Sequence, residues 1–272
     1  NNVFNDTGLP IAGTILSFPS SVSGNQITGS TLRAIGIQSE TLVQDFTLSR
    51  RSFAGIEGIP YFFTDTYTVG SGAILTIEPG VIMKFRASRS LNVKKGLIAE
   101  GTPDSMIVFT AIEDDFYGGD TNADSSATSP ESVSRNWRGI FYEGESLPEF
   151  SKLDYTVVRY AGFINFASFN EFAGVNANNA SPTITNSILQ RNRYGVRATG
   201  SSNPVINNND IFENREFGVW NVDQTFTIDA TNNWWGSDTG PTADGNPEGT
   251  GDRVSEGVSF VPFEGSGSAN PQ

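Results

Sequence analysis

The sequence contains no cysteine and no histidine among its 272 residues. Without cysteine the chain has no disulfide bond and no thiol nucleophile, and cysteine usage gives no signal about the cellular compartment. Without histidine it cannot form a Ser-His-Asp set and lacks the most common general base. The sequence also has no glycine-rich loop of the kind that cradles phosphate. The sequence therefore excludes a Ser-His-Asp triad and a cysteine nucleophile, and it shows no phosphate-binding loop.

Positive charge and long apolar runs are scarce as well. The chain has 17 Lys and Arg against 30 Asp and Glu, which gives a net charge of −13 and a pI near 4.4. This balance disfavours binding to nucleic acid or to an anionic membrane surface. It also makes a strongly anionic polysaccharide a poor substrate unless metal ions intervene. No run of 18 apolar residues occurs, so we expect no membrane insertion.

The composition favours an all-β protein with many tight turns. Charged residues make up only 17% of the chain, whereas glycine occurs 29 times and methionine only twice. Asn, Ser and Thr are frequent, and these residues suit turns and strands better than helices. A chain of this length can bury one large core or two smaller ones.

A repeat with a period of about 22 residues becomes visible when positions 181–196 (SPTITNSILQRNRYGV) are aligned with positions 203–219 (NPVINNNDIFENREFGV). The alignment matches Pro182 with Pro204, Ile184 with Ile206, Asn186 with Asn208, Ile188 with Ile211, Asn192 with Asn214, Gly195 with Gly218 and Val196 with Val219. A near-constant period of this size is typical of solenoid proteins.

Each repeat contains short alternating apolar pieces, such as TIT and VIN, separated by Asn, Gly or Ser. Such pieces are too short to form a stable hairpin alone. Stacked in parallel on a copy of itself, each piece would contribute to a continuous apolar column with a coil rise of about 4.8 Å. Asn suits the corners because it tolerates left-handed backbone and its amide can bond the neighbouring coil.

Residues 67–111 also contain short apolar pieces separated by turn residues, but at a different spacing. The phrases that carry a resemblance are GAILTIEPGVIMKF, LIAEGTPDSMIVFTA, WRGIFYEG, NNWWGSDTGP and NPEGTGDRVSEGVSFVPF, which together span residues 60–263. They resemble the right-handed parallel β-helix, the pectate-lyase-like solenoid, found in bacterial and archaeal exported surface proteins. The resemblance implies an architecture but little about activity, because lyases, hydrolases, adhesins and passive stalks share this solenoid.

We therefore expect an all-β chain with a single right-handed parallel β-helix of roughly seven to nine coils over residues 59–263. Residues 1–58 lack the repeat, and we expect them to supply strands that cover the N-terminal end of the stack. An uncovered end would leave open sheet edges. Residues 264–272 are typical of a flexible linker. We expect the chain to be part of a longer polypeptide.

A polar insertion at residues 113–136 interrupts the repeats and contains a candidate calcium loop. Oxygen-bearing side chains fall at positions 1, 3, 5, 7 and 12 of the loop: Asp120, Asn122, Asp124, Ser126 and Glu131. This is the spacing of calcium loops, in which alternate residues of a tight turn point at one centre. Position 6 is Ser125 where such loops favour glycine, and no helices flank the segment. The alternative interpretation is a solvated acidic loop. In a calcium site, Asp114, Asp115 and Asp120 would add negative charge.

Two aromatic groups have one structural and one functional interpretation each. Trp234 and Trp235 are neighbours, so in a strand one should point into the core and one outward. The pair either closes the C-terminal end of the core or presents a ring, assigned to Trp235, that stacks on a sugar. The other group, Phe163, Phe166, Phe169 and Phe172, either covers the core or forms an apolar patch for a partner.

The chain is not expected to be an enzyme. The resemblance implies that a catalytic member without histidine would be a polysaccharide lyase, with Ca²⁺ and an Arg or Lys base in a cleft. The candidate bases are Lys152, Arg159, Arg191, Arg193 and Arg197, but no carboxylates recur opposite them at fixed spacing.

The sequence thus favours a non-catalytic, secreted or cell-surface module that acts as a rigid scaffold and an adhesion surface. Its expected cofactor is Ca²⁺, and its expected partner is a polysaccharide or another surface protein. The alternatives are a polysaccharide lyase and a carbohydrate-binding module on the same solenoid.

Overall fold

A computed structural model describes residues 2–18, 24–29, 31–132, 134, 136–163 and 171–267. Within these residues there is no α-helix, only two short 3-10 helices, Ile15–Ser17 and Pro148–Phe150. No helix in this part of the chain is long and apolar enough to cross a membrane. The remaining regular structure consists of β-strands.

The strands, in chain order, are β1 (Val3–Asn5), β2 (Ile11–Gly13), β3 (Gln26–Thr28), β4 (Ile35–Ile37), β5 (Thr41–Leu42), β6 (Phe46–Leu48), β7 (Ser52–Phe53), β8 (Ile56–Glu57), β9 (Tyr61–Phe63), β10 (Tyr67–Val69), β11 (Ile74–Ile77), β12 (Ile82–Phe85), β13 (Ser90–Val93), β14 (Gly96–Glu100), β15 (Ile107–Ala111), β16 (Gly139–Tyr142), β17 (Ser151–Asp154), β18 (Thr156–Arg159), β19 (Val175–Asn178), β20 (Thr183–Thr185), β21 (Ile188–Gln190), β22 (Tyr194–Thr199), β23 (Val205–Asn207), β24 (Asp210–Phe212), β25 (Phe217–Asn221), β26 (Ile228–Asp229) and β27 (Val258–Ser259).

Most strands belong to three parallel sheets, which run side by side along the stack. Sheet 1 has eight strands in the order β2-β4-β9-β12-β15-β18-β21-β24. Sheet 2 has seven in the order β5-β10-β13-β16-β19-β22-β25, and sheet 3 has eight in the order β6-β11-β14-β17-β20-β23-β26-β27. The chain visits each sheet once per turn, so it makes about eight coils. The expected parallel β-helix with roughly seven to nine coils is confirmed.

The core is a set of in-register columns on the inner faces of the sheets. In sheet 3, one column runs through Ile77, Ala99, Leu153, Ile184 and Ile206, each paired with the next. All five side chains are buried. Such short strands are stable here because each is paired on both edges and buries its inward residues against the other two sheets.

Strand pairing confirms some of the predicted matches between repeats and contradicts another. Ile184 pairs with Ile206, and Val196 pairs with Val219. The match of Ile188 with Ile211 is wrong, because Leu189 pairs with Ile211 and Ile188 pairs with Asp210.

The pairing also shows where the period of the repeat changes. Gln190 pairs with Phe212 at the end of one strand, and Tyr194 pairs with Phe217 at the start of the next. The turn between these strands is therefore longer by a single residue in the later coil, and the strands themselves remain in register.

The described residues before position 59 contribute strands to the stack. Strands β2, β4, β5 and β6 belong to the three sheets. The parallel β1-β3 pair and the antiparallel β7-β8 pair lie outside these sheets, and Ile15 is buried. Phe4 and Phe53 from these two pairs contact each other with ring centroids 5.9 Å apart.

Candidate metal centre

The described part of the insertion at residues 113–136 lies on the outer face of sheet 1 and buries two cations there. Lys84 is fully buried, and its ammonium donates to the carbonyl oxygens of Asp114 at 2.7 Å and Gly119 at 3.2 Å. Burial lowers the pKa of Lys84 to about 8, although nearby carboxylates, first that of Asp114, act in the opposite direction. The insertion is therefore fixed at its start by a lysine that binds its backbone.

The second buried cation is Arg159, which pairs with a buried carboxylate. Its Nε lies 3.3 Å from Asp114 Oδ2, and both side chains are almost completely buried. Thr110 Oγ1 donates to the same carboxylate oxygen at 2.6 Å. The guanidinium also lies over the rings of Tyr160, Phe116 and Tyr117, at 4.5, 5.4 and 5.5 Å from their centroids. Breaking such a pair on one side would leave a buried charge uncompensated, so these contacts fix the register of the insertion on the sheet.

The candidate calcium loop is a tight turn with left-handed backbone at three positions. Ala123, Ser125 and Ser126 have φ values of 56°, 56° and 63°. Asp120 stabilises this turn by accepting hydrogen bonds from the backbone N–H groups of Asp124 at 3.0 Å and Ser125 at 3.2 Å. A carboxylate that accepts from main-chain donors a few positions ahead offsets the cost of strained backbone.

The carboxylate of Asp124 likewise accepts hydrogen bonds from backbone N–H groups that follow it in the chain. It accepts hydrogen bonds from the backbone N–H groups of Ala127 at 3.0 Å and Thr128 at 3.1 Å, and the Thr128 hydroxyl donates to it as well. The hydrogen bond from the Thr128 side chain is the main cause that lowers the pKa of Asp124 below its ordinary value. Asp124 is therefore ionised and oriented at neutral pH.

Three carboxylates converge at the turn. One oxygen each of Asp115, Asp120 and Asp124 lies within 4.8 Å of the others, and all three residues are partly exposed. Two oxygens bound to one Ca²⁺ at 2.3–2.6 Å can be at most about 5 Å apart. The group could therefore hold one metal ion. Arg33 lies at its border, with Nη1 3.5 Å from Asp120 Oδ2.

The predicted ligands divide between this group and another location. Asn122 lies inside the turn, where its Nδ2 donates to Asp124 Oδ2 at 2.9 Å and its Oδ1 is buried without a hydrogen-bond partner among the described residues. Ser126 is joined to the group through Asp115, because its hydroxyl donates to Asp115 Oδ2 at 2.6 Å. Asp115 was expected only to add charge, since it precedes the spaced motif and reaches the group through the fold of the insertion.

Glu131 does not lie with the three aspartates. Its Oε1 accepts from Tyr160 Oη at 3.1 Å and from Arg191 Nη1 at 3.3 Å. Arg215 binds the Glu131 carbonyl oxygen. The end of the insertion is thus attached to the turns that follow the strands of sheet 1. This attachment keeps Glu131 away from Asp120 and Asp124.

The tryptophan pair lies at the C-terminal end of the stack. Trp235 has no exposed surface, whereas Trp234 is only partly buried and packs on Phe212 at a centroid distance of 5.1 Å. A ring without exposed surface cannot stack on a sugar, so Trp235 is not available for the role assigned to it from the sequence. The outward ring of the pair is Trp234.

The basic residues considered for catalysis have acidic partners. Arg159 belongs to the buried pair with Asp114. The other pairs join neighbouring coils or segments at 2.7–3.5 Å: Lys152 with Glu100, Arg191 with Glu213, Arg193 with Glu216 and Arg197 with Glu171. Partly exposed pairs of this kind contribute little individually. Their arrangement is that of a solvated solenoid face.

The phenylalanine group is only partly described. Phe166 and Phe169 lie outside the described residues, so the choice between core cover and partner patch stays a prediction. Phe172 contacts Phe141 at a centroid distance of 5.7 Å, and Arg138 lies 5.0 Å over its ring.

Comparison with known proteins supports the fold. The family model described as "Right handed beta helix region" matches residues 132–235, a stretch that includes the insertion's end and the last regular coils. Neither the curated proteins nor the solved structures give a significant match. The family match and the three stacked parallel sheets agree on a right-handed β-helix.

Proposed function

Since the chain is a right-handed parallel β-helix, we propose that it serves as a rigid, non-catalytic module of a secreted or cell-surface protein. The observation that carries this proposal is the main hydrophobic core, which is continuous from Ile15 at one end of the stack to Val258 at the other. A stack of about eight coils at a rise of about 4.8 Å is about 35 Å long. Such a body holds whatever adjoins or binds it at a fixed distance.

The outer faces of the stack support the same role. Several of their charged side chains are paired across coils, as with Arg191 and Glu213 at 2.7 Å. Charges that neutralise one another in this way solvate and align neighbouring coils, whereas a catalytic cleft needs charges directed at a substrate.

The proposed cofactor of the module is Ca²⁺, bound by Asp115, Asp120 and Asp124. Three carboxylates within 4.8 Å repel one another, and a divalent cation would remove that repulsion. The Asn122 Oδ1 atom, which lacks a hydrogen-bond partner within the described part of the chain, is the neutral oxygen that could complete the set. Because the loop is part of the insertion that covers sheet 1, bound calcium would hold this cover in place.

An extracellular location suits such a site. The three aspartates are partly exposed and Arg33 competes at their border, so we expect the weak affinity of extracellular calcium modules, with a Kd of about 0.1–1 mM. Calcium at about 100 times its Kd would stabilise the chain by about 2.7 kcal/mol.

Calorimetric titration and melting with and without chelator test the metal proposal. We expect Asp120→Asn and Asp124→Asn to abolish calcium binding and the calcium-dependent rise in melting temperature. Asp104→Asn is the matched control, because Asp104 is exposed and lies outside the insertion. A wild-type protein that gives neither binding heat nor a change in melting would leave the insertion as a solvated acidic loop.

The location is tested by labelling intact and lysed source cells with an antibody against the chain. Labelling of intact cells, or recovery of the chain from the medium, is the expected result. Labelling that requires lysis would contradict the surface role.

A further inference from the structure

A column of outward asparagines follows the corner between sheets 3 and 1. Asn186, Asn208 and Asn232 occupy the same position in successive coils, and their φ values are 48°, 59° and 58°. Each precedes a buried residue of an inner ladder, Ser187, Asn209 or Asn233. The inner residues bond the backbone of neighbouring coils, as Asn209 Oδ1 does with the Ser187 N–H at 2.9 Å. The outer amides are therefore not needed for these bonds.

All three outer asparagines and the inner Asn209 border a cavity of about 320 Å³. Trp234 forms one side of it, and Asp210 and the segment 264–267 complete the wall. The cavity is at the C-terminal end of the stack, where Asp210 of β24, the last strand of sheet 1, borders it.

Several polar groups at this cavity have no hydrogen-bond partner among the described residues. The side chains of Asn208 and Glu264 make no hydrogen bond within the part of the chain that the structure describes, and neither does the Trp234 indole N–H. Asn208 and Glu264 are exposed, and Trp234 is half-buried. An indole ring, an amide and a carboxylate thus surround one cavity and offer both donors and acceptors.

The negative charge of the residues that line the cavity favours neutral ligands over anionic ones. Among the described residues that border the cavity there is no Lys or Arg, whereas Asp210 and Glu264 are acidic. A phosphate, a sulfate or a uronic acid would be repelled. Hydroxyl groups, in contrast, donate to carboxylates and exchange hydrogen bonds with amides, and the apolar face of a sugar ring can lie on an indole.

We infer that this cavity binds a neutral saccharide, with Trp234 under the ring and Asn208, Asn232 and Glu264 bonded to its hydroxyls. The amides repeat at the coil rise of about 4.8 Å, so a chain of sugars lying along the stack would meet a similar group at each step. This inference adds a ligand site to the proposed rigid module and rests on that proposal, and it replaces Trp235 by Trp234 as the stacking ring.

Affinity electrophoresis in native gels tests the site with dextran, soluble starch and galactomannan as neutral probes and polygalacturonate as an anionic probe. We expect at least one neutral polymer to retard the wild-type protein. Trp234→Ala should weaken that retardation at least tenfold. Asn208→Gly should weaken it severalfold, and it keeps the left-handed backbone without strain. Asn203→Ala, a change of an exposed residue outside the cavity, is the matched control.

The Asn208→Gly variant keeps the test decisive should Trp234→Ala disturb the end of the stack. Retardation by none of the neutral polymers overturns the inference, as does equal retardation of wild type and Asn208→Gly. Stronger retardation by polygalacturonate contradicts the assignment of a neutral ligand. Calcium-dependent melting, recorded on the same samples, reports on the proposed module separately, so failure of one result is distinguishable from failure of the other.

Discussion

Replacing Tyr142 by Phe should stabilise the protein, although the substitution removes a polar group. Tyr142 lies on β16 between Val93 and Ala177 of the neighbouring strands, and its side chain has no exposed surface. Its hydroxyl is buried without a hydrogen-bond partner among the described residues. Burial accordingly raises the pKa of Tyr142 far above its ordinary value.

The size of the effect follows from the unpaired hydroxyl. A buried polar group without a partner costs about 1–3 kcal/mol, and phenylalanine keeps the ring and its packing. We expect Tyr142→Phe to raise the free energy of unfolding by about 1 kcal/mol, or the melting temperature by about 2–4 °C for a chain of this size. Scanning calorimetry and urea denaturation, followed by circular dichroism, measure both quantities.

Tyr61→Phe is the matched control. Tyr61 is equally buried, but its hydroxyl donates to the Ser49 carbonyl oxygen at 2.7 Å. Removing that donor should lower stability by about 1 kcal/mol. The two variants should therefore move in opposite directions. A loss of stability in Tyr142→Phe similar to that in Tyr61→Phe would refute the reasoning and show that the Tyr142 hydroxyl has a partner, such as a bound water.

Two further predictions concern the polar ladders at the corners. Burial raises the pKa of Asp252 to about 7, and two hydrogen bonds from Asn214 oppose that rise only in part. An acid with a raised folded-state pKa stabilises the fold at low pH and loses that contribution as the pH increases from about 4 to 7. Asp252→Asn should therefore reduce the fall in melting temperature between pH 5 and pH 8. Asn209→Ala should cost about 2–4 kcal/mol in urea denaturation, because it leaves the Ser187 N–H and the Ile184 carbonyl unpaired inside the stack.

Each ladder prediction has a simple contradicting outcome. Identical pH profiles of melting for wild type and Asp252→Asn would mean that Asp252 does not titrate in this range. An Asn209→Ala variant no less stable than Asn203→Ala, a substitution of an exposed residue, would mean that the inner ladder is dispensable.

The fold could be predicted from the sequence because short local patterns repeat with the period of one coil. Apolar triplets recur in every sheet, asparagines recur at one corner of the last coils, and these patterns limit the chain to a stack. The pairing register between strands was harder to predict from the sequence. Ile188 and Leu189 are adjacent apolar residues, and only pairing on β24 shows that Leu189 is the one above Ile211. The same ambiguity affects the Asn208-Asn209 pair, in which the second residue is buried.

The candidate site could be predicted only as far as local spacing reaches. Asp120 and Asp124 belong to one tight turn, and they lie together as their spacing indicates. Asp115 joins them because Lys84 and Arg159 fix the preceding segment on sheet 1, which no local pattern reveals. Glu131 pairs with Arg191, which lies far along the chain on a later coil. The tryptophan pair shows the same limit, since alternation requires one inward ring but does not say which.

The longer turn between Phe212 and Phe217, compared with that between Gln190 and Tyr194, has a consequence for how this protein could change in length. The extra residue was accommodated in the turn while the strands on either side kept their pairing. The turns at the corners therefore tolerate the insertion of a single residue. The strands keep their pairing only if a whole coil is inserted. A duplication of the segment 183–204 would add one complete layer and lengthen the body by about 4.8 Å. Molecules of this design grow in discrete steps, so a related chain can be adapted to a new span by gene duplication without redesign of its core.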